Sequence, residues 1–357
     1  MPGHASPTRF DLSPSEVAAA LGDEPAYRAR QVWAGIHGGR EPEELTELPA
    51  ALRARLATDL PPALVLERES TSDGGDTDKW LWRLADGAGV ETVLMRYPDR
   101  ATVCVSTQAG CAMACSFCAT GQAGFTRHLT TGEIVEQVVR ARRSALPRRL
   151  SNVVFMGMGE PLANYGPVWA TVERLHHDLG LSARHLTVST VGLVPGIRRL
   201  TAETLPVNLA VSLHAANDVL RDELVPINRR YPLAELLSAC RDYVDAKGRR
   251  LSFEWALIAG VNDRPSDASE LAEVAIPLAA HVNLIPLNPT PGYLVQGPSP
   301  AAVRAFRDRL KGLGVNATVR RNRGTDIDAA CGQLAARAAG EQAVALSPSR
   351  STTGRRR

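Results

Sequence analysis

Three cysteines lie within one short segment, and their spacing constrains this chain more than any other feature does. The segment reads Cys111-Ala-Met-Ala-Cys115-Ser-Phe-Cys118. Soft thiolates on one loop bind an iron–sulfur cluster or zinc. A structural zinc site uses four protein ligands, whereas a four-iron cluster held by three cysteines keeps one iron open to a substrate. The alternatives are zinc completed by a distant residue and three unrelated buried thiols.

Length and composition allow one large domain and a smaller accessory domain, because 357 residues with 44% hydrophobic content can bury a sizeable core. The first residues lack the apolar segment of a signal peptide, and no run of about 18 apolar residues predicts a membrane span. We therefore expect a cytoplasmic protein without membrane attachment. In that reducing setting, clustered cysteines indicate a metal or catalytic site more often than disulfides.

From residue 101 onward, apolar strands alternate with amphipathic helices, and the alternation repeats six times. Such a series predicts a parallel sheet with right-handed crossovers. Six units instead of eight predict an α/β fold with an open, partial (β/α)6 TIM-like barrel, whose active groups follow the C-terminal ends of the strands. The predicted organisation is a disordered lead (1–14), an N-terminal helical accessory domain (15–70), a β-hairpin connection (71–100), the barrel (101–340) and a disordered basic tail (341–357).

Several loops that follow predicted strands carry side chains suited to binding a polar ligand. In Gly157-Met-Gly159-Glu160-Pro161, glycine permits close approach of the backbone, and Glu160 can accept a hydrogen bond from an ammonium group. A tight turn with a surface glutamate is the alternative. The later predicted strands end in side chains that can bind a ribose or a carboxylate, namely Ser189, Ser212, His214 and Asn288. Because a single residue of this kind is usually only a cap, these residues carry weight as a set.

Three further cysteines lie outside the loop. Cys104 is on the first barrel strand, and Cys331 lies near the end of the barrel among small residues that permit close approach of another group. Each of them can instead be a buried apolar cysteine. That interpretation fits Cys240 best.

Arginines are concentrated at 140–149, and pairs follow at 198–199, 229–230, 249–250 and 320–321. Together they could form a phosphate-binding surface. Since the formal net charge is only +3, a solvated arginine-rich surface is an equally good interpretation.

The spacing CxxxCxxC, with an aromatic residue before the last cysteine, resembles the signature of the radical S-adenosylmethionine (SAM) superfamily. Further segments, between residues 15 and 340, narrow the resemblance. They are similar to those of the radical SAM methyltransferases that modify C2 of adenine in RNA: Glu91-Thr-Val, Cys104-Val-Ser-Thr-Gln-Ala-Gly-Cys111, Gly157-Met-Gly-Glu-Pro161, Ser212-Leu-His214-Ala, Pro226-Ile-Asn, Asn288-Pro and Asp326-Ile-Asp-Ala-Ala-Cys331-Gly-Gln-Leu.

The resemblance also implies roles for the candidate site residues. One [4Fe–4S] cluster would be held by the loop cysteines Cys111, Cys115 and Cys118. SAM, used twice per turnover, would be bound near the strand ends by Gly159, Glu160, Ser189, Ser212, Leu213, His214 and Asn288. Three residues would be catalytic, namely Cys331 as methyl carrier, Cys104 as the thiol that releases the product through a transient disulfide, and Glu91 as proton acceptor.

The implied reaction is methylation of C2 of a specific adenine in 23S rRNA, at the peptidyl transferase centre, and of adenine 37 in tRNAs. It would follow a ping-pong course through a methyl-cysteine and a covalent RNA adduct, because adenine C2–H is neither acidic nor nucleophilic. We expect 23S rRNA and tRNA as partners, an external electron donor such as flavodoxin, and a monomer. Three alternatives remain open: the related C8-adenine methyltransferase, a radical SAM enzyme acting on a small molecule, and a non-catalytic RNA-binding protein with a structural metal.

Overall fold

The computed structural model describes residues 7–290, 292–320 and 322–335. Its strands are β1 Val65–Ser72, β2 Thr77–Arg83, β3 Gly89–Arg96, β4 Ala101–Cys104, β5 Gln108–Gly110, β6 Phe125–His128, β7 Leu150–Phe155, β8 Leu186–Thr190, β9 Asn208–Ser212, β10 Leu251–Leu257, β11 His281–Pro286 and β12 Ala317–Val319. Its helices are α1 Pro14–Leu21, α2 Ala26–His37, α3 Ala50–Asp59, α4 Ala119–Gln122, α5 Thr131–Ala145, α6 Tyr165–His177, α7 Val194–Ala202, α8 Asp218–Leu224, α9 Leu233–Lys247, α10 Pro265–Ala275 and α11 Pro300–Gly312. Within these ranges, no helix combines the length and the apolar character needed to cross a bilayer.

The predicted parallel barrel is confirmed. Strands β4, β7, β8, β9, β10, β11 and β12 are neighbours in that order, and every pairing among them is parallel. Helices cover the sheet, so residues on its parallel strands, such as Val153 and Phe155 on β7, are fully buried. The order begins at β1 and ends at β12, and the sheet is therefore an open, partial barrel.

Three antiparallel strands extend the barrel sheet on its β4 side. Strands β2 and β3 form the expected hairpin, with Arg83 opposite Gly89. Strand β1 differs from the expectation, since residues up to 70 were assigned to the helical domain and the next ones to a turn. It is an edge strand whose residues are mostly exposed and, after Leu66, all charged or hydroxyl-bearing, and such a strand lacks the apolar alternation that would have revealed it.

The N-terminal helices α1 to α3 pack on the barrel through one continuous hydrophobic core. Ser13 caps α1, and its side chain accepts a hydrogen bond from Glu16 N–H. The predicted disordered lead (1–14) differs from the structure at residues 7–14, because Phe10 is buried and Asp11 accepts a 2.8 Å hydrogen bond from Gly132 N–H at the start of α5. Residues 1–6 and the predicted basic tail (341–357) lie outside the described residues.

The arginines on α5 join the N-terminal region to the barrel. Arg140 pairs with Glu136 and donates to the carbonyl of Leu64 at 3.1 Å. Arg143 makes two hydrogen bonds to Glu44, of 2.6 and 2.7 Å. These guanidinium groups therefore have partners within the chain, which reduces what this cluster can offer to an external phosphate.

Candidate active site

One cavity opens at the C-terminal ends of the barrel strands, and its lining includes residues of β3 and β4 and of the ends of the six parallel strands that follow. It gathers most of the predicted site residues: Cys104, Cys111, Cys115, Cys118, Gly159, Glu160, Ser189, Ser212, His214, Asn288 and Cys331. Glu91 and Leu213 are the two predicted residues that do not line it. This placement agrees with the general location of active groups in such barrels.

The cysteine loop begins where β5 ends and finishes at the start of α4. Gly110 precedes it with φ +77°, and an added Cβ there would lie 2.0 Å from the carbonyl oxygen of Gly124. The N–H of Cys111 donates to that same oxygen at 2.7 Å. The hairpin of β5 and β6 therefore fixes the starting position of the loop.

Burial disfavours ionisation of the loop thiols. It raises the pKa of Cys111 to about 12, and it raises the pKa of Cys115 well above its usual value, with the charges of Cys118 and Cys111 adding to the effect. Thiolate ligation to iron would offset this cost, because a coordinating thiol is deprotonated by the metal charge. Three soft donors on one cavity wall thus fit an iron–sulfur cluster. Across the described residues, no three His, Cys, Asp or Glu side chains form a site for a single metal ion.

The loop after β7 is packed closely against the start of β5. Gly159 has φ +101°, and an added Cβ would lie 2.6 Å from the Cβ of Gln108. The carboxylate of Glu160 accepts hydrogen bonds from the N–H groups of Leu162 (3.0 Å) and Val191 (2.9 Å). Burial raises the pKa of Glu160 to about 7, against the lowering effect of these N–H donors. Glu160 is therefore a fixed carboxyl group on the cavity wall, and not the surface side chain of a tight turn.

His214 faces the cavity from the end of β9 in a left-handed backbone conformation, with φ +60°. Its Nδ1 accepts a 2.9 Å hydrogen bond from the N–H of Ala256, so a hydrogen on the neutral ring is carried by Nε2. Burial, followed by the charge of Arg221, lowers its pKa to about 3. The ring is consequently a neutral donor toward the cavity at ordinary pH.

The other predicted SAM-binding residues lie at successive strand ends. Ser189 donates to the carbonyl of Phe155 at 2.5 Å. Asn288 donates to the carbonyl of Cys331 at 3.2 Å, which ties the end of β11 to the segment that carries the late cysteine. Leu213 is fully buried in the core and has its backbone N–H bonded to Glu254 O at 3.0 Å. Its side chain therefore supports the strand end from behind.

Cys104 and Cys331 line the same cavity although they come from opposite ends of the barrel sequence. Burial raises the pKa of Cys104 to about 12; the charge of Cys331 adds to this, and the charge of Arg320 opposes it. The six cysteines of the chain, including these two, are all free thiols. The shared cavity is the arrangement that chemistry between the two thiols would require.

Glu91 lies outside the main cavity. It follows the same face of β3 as Val93 and Met95, which line the main cavity, but it lines a second, smaller pocket with Lys79, Asp328 and Ala335 among others. Its Oε2 accepts a 2.9 Å hydrogen bond from Ala335 N–H. Glu91 thus lies behind the segment that carries Cys331.

Two arginines of the site, the buried Arg221 and the partly buried Arg320, were not predicted as site residues. Arg221 donates to the carbonyls of Leu213 (3.1 Å) and Val191 (2.6 Å), and so it holds two strand-end loops together. Arg320 follows β12 and lines the cavity, and its positive charge acts on both Cys331 and Cys104. Arg320 could have been found from its place at the end of the last predicted strand, residues 315–320. Nothing in the local sequence distinguishes Arg221 from a surface arginine.

A partial barrel with three thiols on the first βα loop and a cavity with fixed polar groups at the strand ends defines a radical SAM enzyme, and the Radical SAM superfamily model matches residues 105–272. Closer relatives narrow this class. The chain is 56% identical to a probable dual-specificity RNA methyltransferase RlmN of Frankia casuarinae, over 91% of this chain and 81% of the relative. It is 53% identical to the protein of that name in Thermobifida fusca, over 91% and 94%. The chain belongs to the RlmN family of radical SAM methyltransferases.

A solved structure agrees with this assignment. The crystal structure of a radical SAM methyltransferase from Sphaerobacter thermophilus is 52% identical, with a TM-score of 0.88, and the match covers 92% of this chain and 99% of that one. Family membership implies a [4Fe–4S] cluster and SAM as cofactors. The three cavity thiols and the fixed groups of Glu160 and His214 fit these two cofactors.

Proposed function

We propose that this enzyme methylates C2 of adenine in 23S rRNA and in tRNA, with Cys331 as the methyl carrier and Cys104 as the resolving thiol. The observation that carries the proposal is the meeting of these two thiols in the cavity that also contains the cysteine loop. The names of the relatives support RNA as the substrate, since they are called dual-specificity RNA methyltransferases.

When bound, the cluster and two SAM molecules supply a methyl group and a 5′-deoxyadenosyl radical. Cys331 accepts the methyl group on its sulfur, which requires the thiolate. After loss of a hydrogen atom, the methylene carbon on Cys331 bonds to C2 of adenine and links protein to RNA. The adduct gives up its unpaired electron to the cofactor site. The thiolate of Cys104 then attacks the sulfur of Cys331 and breaks the bond from that sulfur to the methylene carbon, so that a transient disulfide forms. The released carbon takes up a proton and C2 loses its hydrogen as a proton, which leaves a methyl group on C2. External reductant returns both thiols.

The remaining site residues would hold the cofactors during this sequence. Cys111, Cys115 and Cys118 would ligate three irons. Glu160 would accept a hydrogen bond from the amino group of SAM. The carboxylate and ribose of SAM would be bound by the polar groups of Ser189, Ser212, His214 and Asn288. We further propose that the enzyme acts as a cytoplasmic monomer, receives electrons from a donor such as flavodoxin, and takes up an adenine that has left its base stack.

The two thiols outside the loop allow a direct test. Cys331→Ala cannot receive a methyl group, so neither methylated protein nor RNA adduct is expected. Cys104→Ala can be methylated and can bond to adenine, but it lacks the thiol that releases the product. Protein from cells should therefore be covalently bound to RNA, stable to denaturant and lost on nuclease treatment. Cys240→Ala is the matched control, because Cys240 is buried in the core away from the cavity.

Two results would contradict the proposal. Normal RNA methylation by Cys104→Ala without an adduct would exclude the two-thiol mechanism while leaving the SAM-binding site intact. Mass spectrometry of the modified nucleoside gives the position of the methyl group independently. A methyl group at C8 instead of C2 would assign the enzyme to the related activity that shares these cysteines.

A further inference from the structure

Residues 324–335, hereafter the Cys331 segment, are held against strands β2 and β3 by a buried ion pair. Lys79 on β2 and Glu91 on β3 lie on the same face of the hairpin, since Lys79 is opposite Val93 and Glu91 is opposite Leu81. The Nζ–Oε1 distance between them is 3.1 Å, and their side chains are only 8% and 3% exposed.

Each member of the pair also contacts the backbone of the Cys331 segment. The ammonium group of Lys79 donates to the carbonyl of Asp328 at 3.3 Å. The carboxylate of Glu91 accepts from the N–H of Ala335 at 2.9 Å. One contact precedes Cys331 in the chain and the other follows it, so the pair holds the segment on both sides of the thiol.

The opposite side of the segment is attached to the catalytic loops. Ala119, directly after the cysteine loop, donates its N–H to Gly332 O at 2.7 Å, and Asn288 donates to Cys331 O at 3.2 Å. The segment is therefore enclosed between the antiparallel extension and the cofactor site. The position of the thiol relative to that site depends on both sets of contacts.

A buried ion pair is a weak source of stability, because desolvation of two charges offsets most of their attraction. Apolar side chains of similar size would stabilise the same interface at least as well. What they would lack is the directed hydrogen bond to a particular carbonyl and a particular N–H group. The pair is thus better suited to fixing the segment in one position than to stabilising the fold.

We propose that Lys79 and Glu91 form a clasp that positions Cys331 for its own methylation. Glu91 then acts as a positioning residue in the first half-reaction, before any RNA is bound. A proton acceptor for adenine would have no function at that stage. The inference rests on the proposed role of Cys331 as the methyl carrier.

The test measures the initial rate at which Cys331 of the reconstituted holoenzyme gains methyl from labelled SAM, without RNA. Because small misplacements of reacting groups are costly, Lys79→Met and Glu91→Gln should each lower this rate roughly tenfold or more. Since the two residues act as one unit, the double variant Lys79→Met/Glu91→Gln should methylate Cys331 no more slowly than the slower of the two single variants. Arg83→Met is the matched control, because Arg83 lies on β2 as Lys79 does but forms a partly exposed pair with Glu67 on β1.

A second double variant separates positioning from folding. Lys79→Met/Glu91→Leu fills the interface with apolar side chains, and it should keep the iron content and melting temperature of the wild type. Its methylation of Cys331 should still be slow. A folded double variant that methylates Cys331 at the wild-type rate would overturn the clasp.

The single variants distinguish the clasp from a proton acceptor acting alone. If Glu91 acted alone as a proton acceptor, Lys79→Met would methylate Cys331 at the wild-type rate. Glu91→Gln would then methylate Cys331 fully and accumulate the RNA adduct. Either result would also overturn the clasp. If the wild type itself gains no methyl on Cys331, the proposed function fails. If wild type and variants gain it equally, only the clasp fails.

Discussion

Gly110 is the position where one added methyl group should disturb the cofactor site most. In Gly110→Ala, the new Cβ would lie 2.0 Å from Gly124 O and 3.1 Å from the Cα of Phe125. Both atoms belong to the backbone of the facing strand, so no side-chain rotation can relieve the clash. The hairpin has to open, and the hydrogen bond from Cys111 N–H to Gly124 O is lost with it.

Gly124→Ala is the matched control for this change. Gly124 also has a positive φ, of +83°, but an added Cβ would meet nothing within 4 Å. Both variants bear the cost of an alanine in the left-handed region, about 1 kcal/mol. Gly110→Ala loses a hydrogen bond worth about 1 kcal/mol and displaces packed backbone at a cost of about 1–3 kcal/mol. We therefore expect a loss of about 3–5 kcal/mol at Gly110, against about 1 kcal/mol at Gly124.

Two assays together check this expectation. Denaturant unfolding gives the stability difference, and iron and sulfide analysis after anaerobic reconstitution gives the occupancy of the cluster site. Gly124→Ala should bind iron as the wild type does, whereas Gly110→Ala should bind clearly less because its cysteine loop is displaced. Equal stability and equal iron content in the two variants would refute the argument that the hairpin fixes the loop.

Two further predictions concern charge. Because burial lowers the pKa of His214 from 6.5 to about 3, only the unfolded chain binds this proton between these values, so stability should fall as pH drops from 6.5 toward 3. The unfolding temperature of His214→Gln should depend less on pH in that window than that of the wild type. An unchanged pH profile would contradict a buried, neutral His214. In Arg142→Ala/Arg143→Ala, the salt dependence of RNA binding should stay unchanged while stability falls by about 1 kcal/mol. A reduction of the log–log slope by about one would instead show a phosphate contact.

The barrel could be predicted because its signals are local. Apolar strand runs such as Val153 to Phe155 are followed by glycine-containing loops, and each such unit can be read within about 30 residues. The candidate site followed from the same pattern, since strand ends converge at one edge of a parallel sheet. That is why residues as far apart in sequence as Cys104 and Asn288 could be assigned to one cavity.

The features that sequence reasoning did not predict depend on contacts between distant residues. Phe10 and Leu12 are isolated apolar residues in a polar stretch, and Asp11 meets its partner Gly132 only after folding, 121 residues away. The same holds for the α5 arginines, because composition does not reveal that Arg143 pairs with Glu44. Local pattern and propensity carry no information about such pairings.

The proposed reaction requires its two thiols, Cys331 and Cys104, to react in a fixed order, and burial distinguishes them. Arg320 lines the cavity together with both thiols, and its positive charge opposes the effect of burial on the pKa of Cys104. Their exposure differs, however, because Cys331 is partly exposed whereas Cys104 is buried. The accessible thiol can meet a methyl donor first, and burial raises the pKa of Cys104 to about 12, which keeps it protonated and unreactive. In the proposed sequence Cys104 has to stay inactive until adenine is attached to Cys331, and its burial provides that delay.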